Sequence, residues 1–130
     1  MLSRFRKVEG EKGFTWVELL IVIAITSILA AIAIPQFGAY KDRTYNIDTK
    51  NSLQNLFLAC KAYWAENGAT SNCTAAGVTN ATFGYTSSAT ITIADGTDGS
   101  KTGFTATATN SAGGNAAGYG IDSNGTISEL

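Results

Sequence analysis

The sequence has no histidine, and so lacks the side chain most used for proton transfer near neutral pH and for zinc binding. No base stands beside a nucleophile in a recognisable pattern, and no glycine-rich phosphate loop joins a strand to a helix. Asp95 and Asp98 lie in a turn with no apolar pocket to separate their pKa values. The chain therefore reads as no enzyme, with no cofactor and no metal site. Basic residues are few and unclustered after the first dozen positions, so there is no nucleic-acid footprint. Whether nucleic acid is ever a partner stays open at this stage.

Cysteine and proline are almost as scarce. The single proline is Pro35, and the two cysteines are Cys60 and Cys73. Twelve residues between two cysteines, without histidine, do not make a zinc site. A pair beyond a membrane anchor points to one disulfide in an oxidising compartment. The other reading is two unrelated buried thiols.

What is present is unevenly placed. The large aliphatics concentrate in residues 17–34, while the last fifty residues are rich in Gly, Ala, Thr, Ser and Asn. The opening "MLSRFRKVEGEKG" carries Arg4, Arg6, Lys7 and Lys12 against Glu9 and Glu11. Removing these four and two from totals of nine and ten leaves five basic and eight acidic residues, a mildly acidic remainder. An uncharged run of about 22 residues covers positions 19–40, and about 20 apolar residues span a bilayer as a helix. The basic flank before it predicts a cytoplasmic N-terminus. A cleavable secretory signal is the rival, with "ILAAIAIPQF" offering small residues for a cut. Glu18 stands at the head of this run. A carboxylate there is costly, and such residues are normally kept for a task and supplied with a partner.

Pro35 removes one backbone donor and crowds a carbonyl, and Gly38 follows three residues later, so a kink or weakened turn is expected there. Beyond it, Leu53, Leu56, Phe57, Cys60, Tyr63 and Trp64 form one apolar stripe at helical spacing. Gly68 supplies a left-handed cap. A helix over residues 14–67 would be roughly 80 Å long, more than a small domain needs, so its outer half must be covered by something. "SATITIA" and "GFTATAT" alternate around the turn residues of "DGTDGSK" and predict a hairpin. "GYGID" and "TISEL" flank a second turn at Asn124-Gly125, and residues 78–85 add an irregular strand. "DSNGTISE" is too short and too poor in ligands for a calcium loop, and reads as a β-turn. So few bulky side chains cannot hold a free sheet together, and the apolar stripe is the surface available to it. The expected fold is α+β: a long protruding N-terminal helix, kinked near Pro35, with a small antiparallel sheet packed on its C-terminal half.

The stretch "KGFTWVELLIVIAITSILAAIAIPQFGAY" resembles the N-terminus of type IV pilins and of the related pseudopilins. The likeness covers about thirty positions: a short basic leader ending in Gly13, then Phe14, Thr15, Glu18, the apolar run and Pro35. It implies cleavage between Gly13 and Phe14 by a prepilin peptidase and N-methylation of Phe14. It also implies insertion in the inner membrane as a precursor, then stacking into an extracellular homopolymer by the pilus assembly machinery. Phe14, Thr15 and Glu18 would serve subunit assembly, with Glu18 of one copy meeting the Phe14 amine of another. The segments that follow are a cleaved leader at 1–13, a membrane and filament-core helix at 14–40, and a globular head at 41–130. Two departures stand out. Trp16 replaces the usual leucine or isoleucine, and Cys60 lies on the helix rather than in a C-terminal loop, so no adhesive loop is assigned. The expected function is a structural pilus subunit for adhesion, motility or related surface work. A pseudopilin of a type II-like secretion system and a non-polymerising single-pass binding module are the alternatives.

Overall fold

The computed structural model describes residues 13–130; the basic residues of the expected leader lie outside the described residues. The chain divides into two units, one ending at Phe37 and the other spanning Gly38–Leu130. The helix α1, Trp16–Asn67, is assigned without interruption through Pro35 and Gly38. Four strands follow: β1 (Ile91–Asp95), β2 (Ala106–Asn110), β3 (Tyr119–Ile121) and β4 (Ile127–Glu129). This is the expected α+β arrangement of one long helix and one small antiparallel sheet.

In the second unit the apolar stripe of α1 forms the core. Leu53, Leu56, Phe57, Cys60 and Trp64 are buried, with Thr49, Ser52 and Ala59 beside them, while Tyr63 is half-buried. The opposite residues Lys50, Asn51, Gln54, Asn55, Lys61 and Glu66 are exposed, as helical periodicity requires. The sheet is a meander in the order β1-β2-β3-β4, with Ile91 opposite Asn110, Ala106 opposite Ile121, and Tyr119 opposite Glu129. Its inner side chains are mostly small. Ala106 and Ala108 are buried, so the bulk comes from the helix and from Phe104, Tyr119 and Ile121. Phe104 closes an aromatic cluster, its ring 5.9 Å from Phe57 and 5.4 Å from Trp64.

Polar groups hold the loops that the core cannot. The Trp64 indole donates to Ser71 O at 3.1 Å and to Gly99 O at 2.9 Å. Gly99 O also accepts Cys73 N–H, and Lys101 N–H donates to Ala69 O. Cys60 and Cys73 form a disulfide with a Cα–Cα distance of 5.7 Å, so the loop after α1 is tied to the helix and to the β1–β2 connection. Gly68 takes φ 98° and its N–H bonds Trp64 O, ending α1 as a left-handed cap. Three carboxylates, one at the end of β1 and two in turns, are engaged with backbone donors. Asp95 accepts Ala75 N–H, Asp98 accepts Ser100 N–H, and Asp122 accepts Asn124 and Thr126 N–H. The Ser100 bonds hold the Asp98 carboxyl below the ordinary aspartate value of 3.8. That contribution is present above the ordinary value and is lost as pH falls below it.

Two expectations need revision. Residues 78–85 form no strand; Ala76–Val78 is a 3-10 turn, and Asn80 Oδ1 accepts the N–H groups of Thr82 and Phe83 to close a second turn. Local side-chain bonding outcompetes an extended ladder there. The Asn124-Gly125 hairpin is a longer device than a two-residue turn. Gly125 N–H bonds Asp122 O, Asp122 N–H bonds Thr126 O, and Gly125 alone is left-handed, giving a three-residue loop with a bulge.

The disulfide spans 13 positions in sequence, and a loop of that size contributes about 3 kcal/mol in the chain-entropy model. Replacing both cysteines by serine should lower the thermal midpoint of the head, read by near-ultraviolet circular dichroism. An unchanged midpoint, or two free thiols in the unfolded unreduced chain, contradicts this role.

Candidate functional site

Residues charged at neutral pH are excluded from positions 13–40 with one exception, Glu18. The helix begins two positions before it, and the reason is local. Thr15 O accepts the first helical bond, from Leu19 N–H at 3.2 Å, which makes Thr15 the N-cap. Thr15 Oγ1 accepts Glu18 N–H at 3.2 Å, and Glu18 Oε2 accepts Thr15 N–H at 2.9 Å. This reciprocal pair is a capping box, and it satisfies two backbone donors that the first turn leaves open. The carboxylate also sits at the positive end of the helix dipole.

Sequence reading placed Thr15 and Glu18 in one motif and missed this bond between them. The signal was there: Thr, two residues, then Glu before an apolar run is a capping-box pattern. Within the chain Glu18 is thus brought to Thr15. Phe14 lies just outside the helix and is 91% exposed. Gly13 is also exposed, and a side chain there would meet nothing within 4 Å. The same holds at Gly38, so the packing of this chain gives neither glycine a role.

The helical surface that follows is apolar and uncovered. Val17, Leu20, Ile23, Ile28, Ile32 and Ile34 are all exposed. An 18-residue window of α1 has mean hydropathy 2.7 and is 0% buried, long and apolar enough to cross a membrane. The two hydroxyls of the stretch are internally satisfied, Thr26 on Val22 O at 2.7 Å and Ser27 on Ile23 O at 2.6 Å. A contiguous apolar surface with its polar groups closed off is built to be covered by lipid or protein.

The family described as "Prokaryotic N-terminal methylation motif" matches residues 10–34, which enclose Gly13, the capping box and most of the apolar run. Its N-terminal half is similar to those of type IV pilins. It is 43% identical over 65 residues to the type IV major pilin protein PilA of Myxococcus xanthus, covering 50% of this chain and 29% of that one. It is 36% identical over 90 residues to the fimbrial protein EcpC of Eikenella corrodens, covering 68% of this chain and 59% of that one. A fimbrial protein of Neisseria meningitidis is 40% identical over 73 residues, 55% of this chain and 43% of its own. The chain thus spans less than two thirds of the length of each of these relatives. Their names are those of pilus proteins and not of enzymes. No solved structure matches the chain.

Aromatic residues along α1 do not form one continuous path among the ring pairs of the described residues. The close pairs are Phe57–Trp64, Phe57–Phe104, Trp64–Phe104 and Tyr63–Phe83, all in the second unit. They fill the core.

The capping box separates two functions of Glu18 that one substitution would confound. Glutamine can accept the Thr15 N–H bond as glutamate does, whereas alanine cannot. Amide exchange at Thr15 and Glu18 in detergent micelles should quicken in Glu18→Ala and Thr15→Ala, a loss of about 0.5–2 kcal/mol. It should stay near wild type in Glu18→Gln. Equal fraying in Glu18→Gln and Glu18→Ala contradicts the box.

Proposed function

We propose that this chain is the structural subunit of a type IV pilus. It enters the inner membrane as a precursor, is cut after Gly13 by a prepilin peptidase, and is polymerised through its N-terminal helix into a surface filament. The observation that carries this reading is a lone carboxylate at the head of an uncovered apolar helix, inside a methylation motif. The pilin and fimbrial names of the relatives favour a pilus over a secretion pseudopilin.

Cleavage leaves a cationic amine on Phe14. Glu18 Oε2 is occupied by Thr15 N–H, and a carboxylate has further lone pairs to offer an amine. One carboxylate therefore starts its own helix and receives the Phe14 amine of a neighbouring copy. In an apolar filament centre each charge relieves the burial cost of the other, and the pair fixes register more than it adds stability. Pro35 and Gly38 have a separate part. The donor missing at Pro35 and the freedom of Gly38 weaken the helical ladder, so this segment unwinds when subunits pack, although α1 is continuous in the single chain.

Three outcomes test this reading. Intact mass of the mature chain should correspond to a start at Phe14 with an added methyl; a start after Ala30 or Ala31 establishes an ordinary secretory signal instead. Glu18→Gln should be inserted and cleaved, with its helix start intact, yet form few or no filaments, because a buried amine without its carboxylate costs on the order of 3–5 kcal/mol per subunit. Normal filament numbers from processed Glu18→Gln protein sink the pairing. Pro35→Ala with Gly38→Ala should alter filament packing, and a filament map with unbroken helix through residues 34–39 of the wild type removes the unwinding step.

A further inference from the structure

The head carries two adjoining surface hollows of about 390 and 430 Å³ that share Lys61, Trp64 and Lys101. Lys61 projects from α1 and Lys101 from the β1–β2 connection, so two cations from distant parts of the chain line one cleft. No carboxylate lines either hollow. The Lys61 ammonium rests 4.8 Å from the centre of the Phe57 ring, a contact that positions the charge without neutralising it. Lys101 donates its backbone N–H to Ala69 O, and the residue is exposed.

The rest of the wall is neutral and hydrogen-bonding. Thr102, Ser123 and Asn124 line the larger hollow, and none of their side chains is engaged in the bonds that close the neighbouring turns, which use the backbone and Asp122. The frame beneath is fixed: Trp64 is pinned by two carbonyls, and the loops on either side are joined through Gly99 O and the Cys60–Cys73 bond. Preformed walls lower the ordering cost of binding.

The geometry points to a binding site for an acidic sugar, a ligand bearing one or two anionic groups beside several hydroxyls. The lysines take the carboxylate or phosphate as point charges, and the two hydroxyls and the amide take the sugar hydroxyls. Nucleic acid fits poorly. Phosphate-backbone affinity comes from neutralising many phosphates with Lys and Arg, and the described residues hold only Lys41, Arg43, Lys50, Lys61 and Lys101, two of them in this cleft. The site lies wholly in the head, so it stands or falls separately from the filament reading.

The test uses the full chain in detergent micelles, titrated by calorimetry with a short oligogalacturonate, its neutral oligogalactose counterpart, inorganic phosphate and a single-stranded DNA oligomer of equal charge. The oligogalacturonate should bind and the neutral sugar should bind at least about tenfold more weakly, as expected when charge-assisted bonds are lost. Lys61→Gln with Lys101→Gln should weaken the oligogalacturonate by about tenfold or more, while Arg43→Gln changes it less than about twofold. Circular dichroism of each variant should match wild type, since both lysines are exposed. Phosphate competing as well as the sugar acid reduces the site to a bare anion contact and overturns the sugar assignment. Equal binding of the neutral sugar, tighter binding of DNA, no binding, or affinity unmoved by the double substitution each overturns the proposal.

Discussion

A single carboxylate at the start of an apolar helix constrains everything downstream of it. Glu18 is placed where hydrocarbon or another protein must cover its surroundings, and it is held there by Thr15. The bond solves a local problem, since a helix entering an apolar medium cannot leave its first N–H groups open. Because Glu18 occupies the third position of the helix, its charge also meets the positive end of the dipole. The same atoms that nucleate the helix thus present a negative charge at its tip. In the proposed filament, a cation brought there by another copy would find a carboxylate already oriented, at little further ordering cost.

The apolar stretch and the head solve opposite problems with one helix. From Phe14 to Phe37 the large side chains are exposed and the Thr26 and Ser27 hydroxyls bond the backbone, so the described residues of that unit form a surface without a core. From Gly38 onward the stripe at Leu53, Leu56, Phe57, Cys60 and Trp64 is buried under a sheet of small residues. Ala106 and Ala108 contribute little apolar area of their own, and four short strands do not stand alone. Phe104 supplies the missing bulk against Phe57 and Trp64, while the disulfide and the two Trp64 hydrogen bonds restrain the loops. Tyr119 on β3 is buried, and burial first, then the charge of Glu129 on β4, pushes its phenol above the ordinary value of 10.0. Protection of that kind is present below the ordinary value and lost as pH rises through the raised one.

Periodicity carried most of this fold in the sequence. The helical stripe, the two hairpins and the Gly68 cap follow from spacing and turn chemistry, which are local. Residues 78–85 misled because alternation there is weak and the Asn80 carboxamide offers the backbone a better partner. The capping box is legible in the Thr15-x-x-Glu18 spacing before an apolar run, a local signal separate from the cost of burying a carboxylate. The Lys61–Lys101 cleft left no trace in the sequence. Forty residues part its two cations, and only the folding of the β1–β2 connection onto α1 sets them together.

In the proposed pilus subunit Glu18 would join helix start and subunit pairing, and a density map of the assembled fibre examines it directly. At a resolution that shows side chains, the account predicts the Glu18 carboxylate within hydrogen-bonding reach of the Phe14 amine of a neighbouring subunit, with Thr15 still capping the helix. A Glu18 that faces solvent, or meets only the amine of its own chain, would contradict it.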